Sequence, residues 1–250
     1  MWFPLIDPAI AADTVQHAVV KSVYDGDTLT LADGTKVRLR HVNTPELKPG
    51  ETYAAEARDL VTGLVLGREV EVIGEGERDR YGRLMASIRI DGVDVATRLV
   101  ESGLAHVFLV PPRMPDVPDL LAEQAEARLA ARGLWGPGGI AGPLHLTSFH
   151  ANGGQDVTDP NSEYFRLCNV SDRPLDLSGW TAGDGSGRTF AMPLVTLPPG
   201  AAVAVHSGIG ADSVADGHLY LGSPLALWPD EGARLVIRNP QGADVSTRTP

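Results

Sequence analysis

The feature that most constrains the fold is the uncharged run Gly136-Pro-Gly-Gly-Ile-Ala-Gly-Pro143. Glycine and proline at this density oppose both helix and strand, so the run reads as a linker. Hydrophobic patterning changes across it. Before it, strand-like and helix-like periods alternate; after it, helical spacing disappears and short apolar runs recur between turns such as Pro198-Pro-Gly200 and Pro240-Gln-Gly242. A chain of 250 residues that is 43% hydrophobic can bury two separate cores. The expected division is an N-terminal extension 1–13, a mixed domain 14–135, the linker 136–143 and an all-strand domain 144–250.

In the mixed domain, Val19–Tyr24, Leu29–Leu31, Lys36–Val42, Val70–Ile73 and Leu84–Ile90 are β-type runs, with Asp-Gly turns at 25–26 and 33–34. Tyr53–Leu66, Val95–Glu101 and Leu120–Arg132 carry helical spacing, and Gly103 and Gly133 stop the last two. That order predicts an α+β domain, a five-stranded barrel with three helices. The second half predicts a β-sandwich of about 100 residues.

Charge narrows the function. The net charge is −11, with 15 basic against 21 acidic residues in 1–140 and 6 against 11 in 141–250. Neither half is a basic module that would hold nucleic acid by bulk electrostatics. Focused arginines beside a metal ion can still create a local positive site on an acidic protein. One cysteine, Cys168, excludes an intramolecular disulfide; its apolar neighbours predict a buried small hydrophobe. The seven histidines show no HExxH or other paired ligand spacing. No leader-like N-terminus and no run of membrane-spanning length is present, so the chain as given reads as soluble with no membrane span.

Three short pieces hold the chemistry: Asp25-Gly-Asp-Thr28, Arg38 to Glu46, and Asp79-Arg-Tyr-Gly-Arg83. Arginine forks grip phosphate oxygens. Carboxylate, amide and carbonyl oxygens hold hard cations, and a carboxylate near phosphorus can orient or deprotonate water. Together these parts suit metal-assisted phosphodiester hydrolysis. Strand alternation over Val37–Val42 predicts Arg38 and Arg40 on the face opposite Val37 and Leu39. Asp156, Asp159 and Glu163 form a second, acid-rich stretch in which a solvated loop is the plainer reading and a structural Ca²⁺ the alternative.

The pieces VYDGDTLTL, VRLRHVNTPE, DRYGRLMASI, LVESGLA and AEQAEARLAARGLW stand in order over roughly 120 residues, and this set resembles the staphylococcal nuclease (thermonuclease) family. The resemblance implies an OB-type barrel and a Ca²⁺-dependent nuclease, with Mg²⁺ or Mn²⁺ the lesser alternatives, acting on DNA and RNA with little sequence choice. It assigns Asp27, Asn43 and the Thr44 carbonyl to the metal, Arg38 and Arg83 to the scissile phosphate, Glu46 to the attacking water, and Arg80 and Tyr81 to a terminal phosphate of bound substrate. Arg40, where the pattern has an apolar residue, becomes supporting charge at best. Asn43 departs from the pattern, which has an aspartate there, and implies a weaker metal site. Phe108, in His106-Val-Phe-Leu-Val-Pro-Pro-Arg113, stands where base-packing tyrosines are expected. Products would be 3′-phosphates, and relatives of this type are often exported, so the resemblance points to an extracellular compartment that the chain as given does not itself indicate.

In the second half, Glu163-Tyr-Phe-Arg-Leu-Cys-Asn169, Leu175-Asp-Leu-Ser-Gly-Trp180, Leu197-Pro-Pro-Gly200 and Leu227-Trp228 before Gly232-Ala-Arg-Leu-Val236 resemble a lamin tail domain, an immunoglobulin-like sandwich. That resemblance implies a surface, protein or substrate partner for residues 144–250. The rival reading is a binding module in which the barrel has lost catalysis and the lamin-tail-like domain supplies the targeting.

Overall fold

Alternating burial along short strands builds the first half. The computed structural model describes residues 13–48, 50–151, 159–229 and 232–250, and they divide into two compact units on either side of Leu99 and Val100. In the first unit β1 (Thr14–Val23), β2 (Thr28–Leu31), β3 (Lys36–Leu39), β4 (Val42–Asn43), α1 (Ala54–Val65), β5 (Glu69–Gly74), β6 (Leu84–Ile90), β7 (Val93–Asp94) and α2 (Val95–Glu101) follow in order. β1 pairs with β5 over Thr14–Val19 and with β2 over Val20–Val23, with a register shift between Val20 and Ser22. The irregularity lets one strand serve two neighbours, as bulges do. The order β3-β2-β1-β5-β6 then closes on itself, because β3 also pairs in parallel with β6, Val37 opposite Leu84 and Leu39 opposite Ala86. Val20, Leu29, Val37, Leu39, Val70, Val72, Ala86 and Ile88 are buried. The five-stranded barrel with helices is therefore as expected from the sequence.

One strand differs. Lys36–Val42 is not continuous: β3 ends at Leu39, His41 takes a left-handed conformation (φ 67°), and β4 restarts at Val42. Arg40 makes a two-pronged ion pair with Asp13 at 3.0 Å for each prong. The third helix, α3 (Pro118–Leu129), lies two residues earlier at its start than its Ala-rich spacing suggests. Proline suits a first helical turn, where its missing N–H costs nothing.

The second unit contains α3 and the sandwich. One four-stranded sheet runs His218–Tyr220, Ala202–His206, Tyr164–Asn169, Leu144–His150; another runs Thr189–Ala191, Thr181–Gly183, Leu235–Arg238, Asp244–Arg248. Phe165, Leu167, Trp180, Val203, Leu219, Trp228 and Leu235 form the buried cluster between them. Phe149, Phe165 and Phe190 meet the Trp228 ring edge-on at centroid distances of 5.5, 5.8 and 5.9 Å. Trp180 and Trp228 are thus core residues, and Cys168 is buried without a disulfide. Among the described residues no helix is long and apolar enough to cross a membrane.

Two polar networks tie this unit together. Gln124 of α3 accepts from the Val107 amide at 2.6 Å and donates to the Val170 carbonyl at 3.0 Å. Arg128 donates to the same Val170 carbonyl. Leu109 exchanges backbone hydrogen bonds with Gly200 and Ala202 at 2.8 and 2.9 Å. These bonds place α3 and the segment around Val107 with the sandwich, which is why the compact unit begins well before the Gly/Pro run. Phe108 packs against the cluster of Cys168, Val170 and Ala202, with Trp135 and Ile140 beside it, so its ring is engaged in packing.

Glu163 centres the second. Its fully buried carboxylate accepts from Ser207 Oγ at 2.8 Å, from the Leu227 amide at 2.7 Å and from the Trp228 amide at 3.3 Å. Removing the acceptor leaves three buried donors unpaired, and each such group costs on the order of 1 kcal/mol or more. Glu163→Ala is expected to destabilise the protein by about 3 kcal/mol in urea unfolding, with Glu163→Gln recovering part of the loss. Unchanged stability in Glu163→Ala would show that the carboxylate does not hold the Leu227–Trp228 turn.

Candidate active site

The Asp25–Thr28 turn is shaped by contact. A Cβ on Gly26 would lie 2.7 Å from both the Ala57 Cβ of α1 and the Thr44 Cγ2, so only glycine lets the turn, the helix and the Thr44–Pro45 corner meet. Asp25 Oδ1 accepts from the Asp27 amide at 3.1 Å and closes the turn. Asp25 thus has the turn role read from the sequence, although burial, aided by neighbouring Asp27, pushes its carboxyl up to about 6.

Asp27 is the hub. Its Oδ2 accepts from the Thr44 amide, from Thr44 Oγ1 and from Arg38 Nη2, each at 3.0 Å, while Oδ1 accepts from Thr28 Oγ1 at 3.1 Å. Arg38 lies opposite Thr28 across the β2–β3 pair and is buried. Its Nη1 donates to the Leu39 and Val42 carbonyls at 2.6 and 2.9 Å. Its Nη2 also donates to Asn43 Oδ1 at 3.1 Å. His41, in left-handed conformation two residues beyond the end of β3, precedes the Val42 carbonyl and Asn43 side-chain amide that meet this guanidinium. Asn43 Nδ2 in turn donates to the Thr44 carbonyl at 3.3 Å.

Arg83 reaches the same network from the start of β6. Its Nε donates to Asp79 Oδ2 at 2.7 Å and its Nη1 to Thr28 Oγ1 at 3.2 Å; Nη2 has no protein acceptor among the described residues. Thr28 therefore bridges Arg83 and Asp27. Thr28 and Asp79 are the positioning residues that reading the motifs alone overlooks, although both stand inside the quoted pieces. Arg80 and Tyr81 lie on the same Asp79–Gly82 turn but outside the buried network. Arg80 donates to the Tyr81 hydroxyl at 2.6 Å, its guanidinium stands 4.8 Å from the centre of the exposed Tyr81 ring, and that of Arg83 stands 5.4 Å away.

Glu46 follows Pro45, its amide donating to Glu51 Oε2 at 2.9 Å. Its side chain is solvent-exposed overall, yet partial desolvation of the carboxyl, then the negative charges of Asp27, Asp25 and Glu51, push it up to about 7. A carboxyl with that value is suited to proton transfer near neutral pH.

The oxygens of Asp27, Asn43 and Thr44 are all hard donors, and Asp25 and Glu46 add negative charge nearby; this set fits a hard divalent cation by its chemistry. Among the described residues no three His, Cys, Asp or Glu side chains gather as a metal cluster, so such a cation depends on amide and carbonyl oxygens as well. The acid-rich stretch of the second half has a different character: Glu163 is committed to the Leu227–Trp228 turn, Asp159 Oδ1 caps Asn161 at 3.0 Å, and Asp156 lies outside the described residues.

A closed barrel with an acid–arginine network and, after it in the chain, a β-sandwich define a two-part protein. Residues 36–137 match the family model "Staphylococcal nuclease homologue", and residues 141–250 match "Lamin Tail Domain". Among similar proteins, the thermonuclease of Staphylococcus intermedius is 32% identical over 127 residues, which covers 47% of this chain and 74% of that protein. Endonuclease YncB of Bacillus subtilis (strain 168) is 30% identical over 135 residues, covering 49% of this chain and 63% of the relative. The probable staphylococcal-like nuclease CAN2 of Oryza sativa subsp. japonica is 27% identical over 144 residues, 58% of this chain and 38% of that protein. The chain thus spans less than two thirds of the length of several relatives it matches. It belongs to the staphylococcal nuclease homologue family, with a lamin tail domain after the nuclease region.

The close contact at Gly26 supplies a test. Gly26→Ala forces Ala57 or Thr44 away and disturbs the Asp27–Thr44 bonds. A destabilisation of about 1–3 kcal/mol is expected from overpacking, read by thermal unfolding; a variant as stable as the parent would mean the turn has slack.

Proposed function

We propose that this protein is a Ca²⁺-dependent nuclease that hydrolyses phosphodiesters of DNA and RNA with little sequence specificity. The observation that carries the reading is the single network joining Asp27, Arg38, Asn43, Thr44, Thr28 and Arg83, with the Glu46 carboxyl in its field.

Asp27, Asn43 Oδ1 and the Thr44 carbonyl would hold the cation, which when bound supplies charge neutralisation at a phosphate oxygen. Arg38 is held in plane by two carbonyls, so its guanidinium is oriented before substrate arrives. Its Nη2, now shared between Asp27 and Asn43, is the edge released to a phosphate oxygen once the acidic pair has another partner. Arg83, steadied through Nε by Asp79, offers Nη2 to a second phosphate oxygen. Two such forks neutralise the charge that builds as a water oxygen bonds to phosphorus and the 5′-oxygen departs. Glu46 orients that water or takes its proton. The products would be 3′-phosphates and free 5′-hydroxyls. Arg80 and Tyr81 are placed here as contacts to a terminal phosphate, and the lamin tail domain as the element that binds a surface or protein partner. Asn43 adds no formal charge where an acid would, so the site would need millimolar Ca²⁺, with Mg²⁺ or Mn²⁺ the lesser alternatives.

That neutral amide is also the observation behind a second reading, a binding module without turnover. The two readings separate by mutation. Arg38→Ala and Glu46→Ala should each lower hydrolysis of single-stranded DNA by about 100-fold or more while circular dichroism shows the barrel intact; parent-level hydrolysis in either removes that residue from the site. Asn43→Asp should tighten Ca²⁺ binding by about 10-fold, read by calorimetry, and an unchanged affinity would exclude Asn43 as a ligand.

A further inference from the structure

Two histidines twelve residues apart meet in the sandwich. The strands Ala202–His206 and His218–Tyr220 run parallel, with Ala204 opposite His218 and His206 opposite Tyr220. His206 and His218 are therefore diagonal neighbours on one face of the sheet, while Val205 and Leu219 point to the buried core.

Their hydrogen bonds fix both tautomers. His206 Nδ1 lies 2.9 Å from the Asn161 carbonyl. A carbonyl only accepts, so Nδ1 carries the proton and Nε2 carries the lone pair. That lone pair faces His218 Nδ1 at 2.9 Å, which makes His218 the donor. The ring centroids are 5.1 Å apart and the planes 29° from parallel. Tyr220 stacks on His206 at 5.1 Å and 21°, and Tyr164 flanks it at 5.7 Å.

An imidazole whose second nitrogen donates to a backbone carbonyl, and whose ring is braced by neighbours, has the orientation that metal-ligating histidines show. Imidazole nitrogen suits zinc, nickel and copper far better than calcium or magnesium. We propose that His206 Nε2 and His218 Nδ1 form a two-histidine clip for a first-row divalent cation of the zinc, nickel and copper class. On binding, His218 loses its Nδ1 proton and takes one on Nε2, so both imidazoles stay neutral and no net proton is released. At zinc–nitrogen distances near 2.0–2.1 Å the two nitrogens would stand about 3.3 Å apart, a small opening that the exposed His218 can supply. Burial of His206 lowers its basicity, so protons compete weakly near neutral pH. Asp159, whose charge acts on His206, adds a negative field. Water fills the remaining positions, and the clip is separate in chemistry from the hard-oxygen site of the barrel.

The test is calorimetric titration of Zn²⁺ into the untagged full chain in calcium-free buffer, with ¹⁵N spectra of the histidine rings. One zinc site is expected, weakened at least 10-fold in His218→Ala and in His206→Ala and kept in Asp27→Ala. His218 Nδ1 should change from the protonated to the lone-pair type of resonance as zinc is added. His218→Ala alters an exposed side chain and so decides the matter if His206→Ala misfolds. Zinc binding as tight in His218→Ala as in the parent, loss of zinc binding in Asp27→Ala, or no binding at millimolar zinc would overturn the clip.

Discussion

The Asp27 carboxylate is the interaction on which the arrangement of the barrel site depends. Four hydrogen-bond donors converge on it from β2, from the corner after β4 and from Arg38 of β3. A buried carboxylate of this kind is held only if it is fully paired, because an unpaired charge out of water is far more costly than the pair gains. The partner that satisfies it is Arg38, the residue proposed above to meet the scissile phosphate. The protein therefore keeps Arg38 ordered by using its guanidinium as the counter-ion of Asp27, and Asn43 shares that guanidinium without adding charge. In the proposed reading a cation entering beside Asp27 and Asn43 would compete with Arg38 for the same oxygens and free its outer edge, so that metal and phosphate binding would be coupled through one side chain.

Much of this was legible in the residues. The turn at Asp25–Thr28, the arginine on the β3 run and the Asp79–Arg83 turn are short-range signals, and a closed barrel converts their spacing into proximity. The strand expected over Lys36–Val42 is interrupted at His41, where φ turns positive and period-two reasoning ends. Asp79 holds Arg83 from four residues away, within one turn; the bond of Thr28 to Arg83 joins segments 55 residues apart, which no local pattern reports. Gly26 is explained by the approach of Ala57 and Thr44, also a long-range fact.

The second unit shows the same limit. The Gly/Pro run marks a change of pattern, yet Gln124 and Arg128 of α3 pair with Val170 beyond it. Composition locates a stretch that avoids helix and strand; it does not say which side owns a neighbouring helix. Glu163 stands in an acid-rich stretch that suggested a solvated loop, and its surroundings instead make it the acceptor for a buried turn. His206 and His218 lack any ligand-like spacing because parallel pairing of two distant strands is what brings them together.

The central claim, that the Asp27–Arg38–Asn43 network is a working active site with a hard cation as its missing charge, is tested most directly by one titration. Heat-denatured DNA is incubated with the unaltered chain at mildly alkaline pH while Ca²⁺ is raised from a chelator-treated zero. The account predicts no cleavage in chelator and cleavage that rises through the millimolar range, because a site with one charged ligand binds the cation weakly. Absence of cleavage at every Ca²⁺ concentration, or cleavage indifferent to chelator, would contradict it.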